Sequence, residues 1–92
     1  MVNYYDICQK VYSAFKRLGF PGIDAAGETK EVWIISPAYS DPEKVEYGAD
    51  PYIVDKQNGE IRVMDFFDSR DRDIYYSASK IDVPAEFSPA YY

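Results

Sequence analysis

The chain has 92 residues, with sixteen acidic side chains against ten basic ones and no histidine, for a net charge of −6 and a pI near 4.4. One domain fits this length and two do not, so residues 1–92 read as a single domain. The acidic field argues against nucleic-acid and anionic-membrane partners, and the lone Cys8 rules out an internal disulfide.

Residues 3–18 form the clearest predicted helix. Asn3 is a good N-cap, and Asp6 lies three residues later, where a capping side chain and the positive helix end favour an acid. Tyr4, Ile7, Cys8, Val11, Ala14, Phe15 and Leu18 recur at the spacing of one buried face. Gly19 ends the helix in the left-handed conformation, Phe20 folds back on the last turn, and Pro21 prevents continuation.

Residues 20–30, with Gly22, Gly27 and two alanines, read as a loop. A strand over 31–36 follows, with Val32 and Ile34 on one face and Trp33 and Ile35 on the other. Apolar residues on both faces place it inside a sheet covered on both sides. Residues 37–51 read as a polar loop.

A hairpin joins strands at 52–55 and 60–67 through a type I turn with Gly59 in the left-handed region. The predicted register sets Ile53 opposite Val63, with Ile61 on the same face toward the core. Val54 and Arg62 then share the outer face, because a slip of one residue would bury Arg62. Residues 68–73 read as a charged turn, 74–78 as a further strand, and Ile81 and Val83 as closing the sheet. The tail, 84–92, reads as mobile. The expected fold is α+β, an N-terminal amphipathic helix packed on an antiparallel sheet of three to five strands.

Chemistry finds little purchase. Without histidine, the usual general base, the Ser-His and Cys-His pairs and histidine metal sites are all missing. Asp65, Asp68, Asp71 and Asp73 could collect a divalent cation, but they lack the order of a calcium loop, and Arg70 and Arg72 lie among them. Asp65 and Asp68 could act as an acid–base pair, yet nothing supplies a cleft. Cys8, on the apolar helix face, reads as a buried hydrophobe, and Trp33 as core. The expectation is therefore no catalysis and no cofactor.

Ten tyrosines exceed what a small core can satisfy, since each buried hydroxyl wants a partner. Fifteen of the sixteen acids lie beyond residue 19. Exposed tyrosine beside carboxylate is the composition of a protein-binding face. Two loops carry it: Tyr39, Asp41, Glu43, Glu46 and Tyr47, and Asp68, Asp71, Asp73 and Tyr75. Both are expected to be exposed and to meet a protein partner with a basic surface.

The N-terminal helix, the tryptophan-bearing strand and the string Pro51-Tyr52-Ile53-Val54-Asp55-Lys56-Gln57-Asn58-Gly59-Glu60-Ile61 together resemble the small α+β immunity proteins of bacterial polymorphic toxin systems, the immunity protein 35 type. The resemblance spans residues 3–67. It implies a cytoplasmic protein that binds a cognate toxin domain and blocks its active site or excludes its substrate. An acidic domain would fill the basic cleft of such a toxin. Two other readings stay open: a DNA-mimic inhibitor of a nucleic-acid-binding protein, and a small divalent-metal module or enzyme.

Overall fold

The computed structural model describes residues 1–40 and 49–89. Helix α1 (Tyr4–Arg17) is followed by strands β1 (Ile23–Glu28), β2 (Val32–Pro37), β3 (Tyr52–Asp55) and β4 (Ile61–Val63). Helix α2 (Ser69–Ser77), strand β5 (Ser79–Ile81) and a 3-10 turn (Ala85–Phe87) follow among the described residues. The strands form one five-stranded sheet in the order β4-β3-β2-β1-β5, with every neighbouring pair antiparallel. The fold is α+β, with α1 on one face. α2 carries the chain across the other face, from one sheet edge to the opposite edge.

Both ends of α1 follow from local chemistry. The Asn3 side chain accepts from the Asp6 N–H at 3.2 Å. At the other end Gly19 takes φ +95°, while the Gly19 and Phe20 N–H groups donate to the Lys16 and Phe15 carbonyls. That is the double bond of a Schellman stop, and the Phe15 and Phe20 rings, 6.1 Å apart, supply its apolar contact. Phe20 fills the core side that periodicity assigned to Leu18, and Leu18 is left 61% exposed.

The α1 face buries Ile7, Cys8, Val11 and Phe15 against Ala26, Trp33, Ile35 and Val54. Trp33 and Cys8 are core residues, as their positions imply. The C-terminal segment also belongs here, which corrects the expectation of a mobile tail from residue 84. Phe87 is buried between Tyr5 and Tyr12, at centroid distances of 5.3 and 5.4 Å. The Tyr5 hydroxyl donates to Glu86, and the Tyr4 hydroxyl donates to the Asp82 carbonyl. Residues 90–92 lie outside the described residues.

The second face holds a smaller cluster of Ile34, Ile53 and Met64, with Val32, Ile74 and Ala78 against it. Here the sequence expectation fails in three places. Residues 23–28, read as loop, are an interior strand between β2 and β5. Its small residues allow close approach: a Cβ on Gly27 would stand 3.2 Å from the Ala78 Cβ. Residues 74–78, read as a strand, lie mostly in α2. The Asp68 side chain caps that helix from the Arg70 N–H, and this local signal outweighs the β preference of Ile74-Tyr75-Tyr76.

The third correction is the hairpin register. Ile53 lies opposite Arg62, not Val63, and Val54 lies opposite Ile61. Gly59 takes the left-handed conformation expected of it, with φ +75°. The one-residue shift puts Arg62 on the inner side of the α2 face, which is tolerated because Asp71 waits there to neutralise it. The strand is also shorter than 60–67. The Met64 N–H still reaches the Pro51 carbonyl, but the Asp65 N–H turns away to Asp71.

Candidate functional site

Residues 65–76 form a compact unit in which polar bonds fix the backbone and aromatic rings are turned outward. The Asp65 side chain accepts from the Phe67 N–H at 2.9 Å, and the Asp65 carbonyl accepts from the Asp68 N–H. The Arg72 guanidinium donates to the Phe66 carbonyl at 2.7 Å. Beneath them, Asp71 is 3% exposed and accepts both Arg62 guanidinium nitrogens, at 2.8 and 2.7 Å, and the Asp65 N–H at 2.9 Å. Arg62 holds the Asp71 carboxyl down to about 2, against the opposing effect of burial. The same pairing raises the Arg62 guanidinium further.

This geometry corrects the reading of Asp71 as an exposed contact residue. Its lone pairs are committed inward, and it serves to lock α2 and the β4–α2 turn to the sheet. Asp68 is occupied as the helix cap, with a looser approach to Arg70 at 3.7 Å. Asp73 and Tyr75 are exposed, as expected.

The larger surprise is apolar. Phe67 is 96% exposed and Tyr76 77%, with Phe66 and Tyr75 partly exposed beside them. The Phe66 and Tyr75 rings stand 5.6 Å apart and the Tyr75 and Tyr76 rings 5.4 Å, both edge-on. α2 is too polar to bury more, since Ile74 is its one contribution to the second cluster. Tyr75 also borders a groove of about 220 Å³ beside α2, lined as well by Ala25, Gly27, Ile34, Ser36 and Lys80.

The other predicted loop fares differently. Asp41, Glu43, Glu46 and Tyr47 lie outside the described residues. Tyr39 is half-buried, and its neighbour Ser40 donates to the Gly19 carbonyl at the end of α1. That bond is at the end of α1, which packs on the sheet face opposite α2. Sequence reasoning missed Phe66, Phe67 and Tyr76. The overlooked signal was Asp68 followed three residues later by Asp71, an acid-rich helix start. With the helix in place, its one aliphatic residue cannot bury four neighbouring rings.

The remaining candidates have structural uses. Burial pushes the Cys8 thiol up, so it is a poor nucleophile. Among the described residues no group of three acidic or cysteine side chains is placed to hold a metal ion. No described helix is long and apolar enough to cross a membrane. The hairpin string is absorbed by its own turn. Asp55 and Asn58 accept from the Gln57 and Glu60 N–H groups, and Gly59 sits against Val2 and Ile7, where a Cβ would approach to 3.2 Å. No family model matches the chain, and no curated protein or solved structure shows significant similarity to it.

Proposed function

We propose that this chain is a binding protein that neutralises a cognate toxin domain, covering its active site or substrate cleft with the face built from residues 65–76. The observation that carries this reading is the row of exposed rings, Phe66, Phe67, Tyr75 and Tyr76, on a segment whose backbone is pinned by Asp65, Asp68, Asp71 and Arg72. Exposed aromatics on a rigid support are costly in a free protein and are what binding hot spots are made of. Asp65 and Asp73 beside them, on a chain of net charge −6, favour a basic partner and speed its approach. The toxin as partner rests on the resemblance of the helix, tryptophan strand and hairpin to immunity proteins. The binding face rests on geometry alone.

Co-expression with the C-terminal domain of a secreted protein, where a gene beside this chain's encodes one, tests both parts. The chain is expected to restore growth, and Phe67→Ser with Tyr76→Ser to abolish protection through a loss of about 2 kcal/mol or more in affinity. Because both rings are exposed, these variants should keep wild-type stability to within about 0.5 kcal/mol. Full protection by the double variant refutes the aromatic face. A neighbouring gene product that is harmless refutes the toxin.

A further inference from the structure

The two edges of the sheet are not alike. β5 is guarded in an ordinary way, with Lys80 at its centre and Ile81 packed into the α1 cluster. Among the described residues β4 has no such guard. Its one cation, Arg62, is drawn inward by Asp71, and its two other side chains, Ile61 and Val63, are exposed at 37% and 54%.

The backbone at this edge is also open. The Asp55 N–H donates to the Glu60 carbonyl and the Met64 N–H to the Pro51 carbonyl. With Ile53 opposite Arg62, the bonded positions of β4 are therefore residues 60, 62 and 64. Alternation turns the N–H and C=O groups of Ile61 and Val63 outward. Among the described residues nothing receives them. Ile61 and Val63 pair with Val54 and Tyr52, so both side chains lie on the α1 face, beyond the reach of that helix. A donor–acceptor row and two apolar side chains thus face the same side, which no described residue covers.

The occupant is indicated by charge. Glu60 and Asp65 flank the open strand and are exposed, while Arg62 is already neutralised. A second copy of this chain, itself at −6, would bring these acids together in an antiparallel self-pairing and set Arg62 against its own counterpart. A basic extended segment meets neither obstacle.

We propose that β4 receives an extended basic segment of the partner protein as a sixth strand, antiparallel like the other five. The inference rests on the reading of the chain as a protein-binding domain and names the chemistry of the segment it takes. Apolar side chains would lie opposite Ile61 and Val63, a small polar one opposite Arg62, and lysine or arginine opposite Glu60 and beside Asp65.

The probe is the capped peptide Lys-Val-Thr-Val-Lys, titrated at millimolar concentration into the isotope-labelled chain. The Ile61 and Val63 amide resonances are expected to move in a saturable way, and their hydrogen exchange to slow several-fold. A version with both valines N-methylated should leave those amides unchanged, and Glu-Val-Thr-Val-Glu should bind much more weakly. Absence of change at the two amides overturns the proposal, as does an equal response to the methylated peptide. A dimer joined at β4 in sedimentation without peptide would assign the edge to a second copy instead. Because the titration needs no toxin, its failure is distinct from failure of the aromatic face, which is read from growth protection by the Phe67 and Tyr76 variants.

Discussion

Replacing Asp71 by asparagine should cost about 2 kcal/mol at neutral pH and progressively less in acid. The carboxyl ordinarily ionises at 3.8 and in the fold at about 2, held there first by Arg62 and also by the Asp65 N–H. Each tenfold change in proton affinity is worth about 1.4 kcal/mol, which gives at most roughly 2.4 kcal/mol. Arg62 is half exposed, and solvent screening trims that figure toward 2. The sign follows from the lowered value. The stabilisation is full above the unfolded-state value near 4 and is lost as pH falls through about 2. At pH 3 about half of it should remain. Urea unfolding of wild type and Asp71→Asn, followed by circular dichroism at several pH values between 7 and 2.5, reads the difference directly. A gap below about 0.5 kcal/mol at pH 7, or a gap that stays constant down to pH 2.5, would refute the assignment of Asp71 as the lock between α2 and the sheet.

Other expectations concern the α1 face. Phe15→Ala should lose about 3–5 kcal/mol in chemical denaturation, because the ring is 1% exposed and packs against Phe20 and Tyr52. Gly22→Ala should cost about 1–3 kcal/mol, since its Cβ would stand 2.7 Å from the Phe87 carbonyl oxygen and push the 84–89 segment outward. Faster proteolysis of that segment would accompany it, and an unchanged melting point would contradict the close approach. Cys8 should resist thiol reagents in the native chain and react readily in urea, because burial raises its thiol. Rapid labelling without denaturant would show that the α1 face opens locally.

The parts of the fold legible in the sequence were those whose signal is local and strong. The α1 stripe, its Asn3 cap and its Gly19 stop each state their role within a few residues, as do the apolar run of β2 and the Gly59 turn. β1 was hidden because Ile23-Asp24-Ala25-Ala26-Gly27-Glu28 has poor strand propensity. Its pairing comes from neighbours far along the chain, β2 and β5. The register failed for a different reason. Placing Arg62 outside was sound on the hairpin alone, and the carboxylate that draws it inward lies nine residues away on a helix that had been read as turn and strand. Once α2 was misread, Asp71 was assigned to the surface, and Phe66, Phe67 and Tyr76 were passed over.

The Arg62–Asp71 pair also decides which residues this protein shows to others. In the alternative register, Ile61 and Val63 would turn toward the second face and join Ile34 and Ile53, while Met64 would turn out of that cluster. Asp71 would then be buried without its cation, a loss that added apolar contact repays poorly. The observed register keeps the ion pair and leaves Ile61 and Val63 beside an open edge, while the bond from the Asp65 N–H to Asp71 holds the turn that exposes Phe67. An acid that touches no partner thereby shapes both proposed contact surfaces. Stability and binding should consequently fail together at Asp71 and separately at Phe67, which distinguishes a residue that builds the face from one that belongs to it.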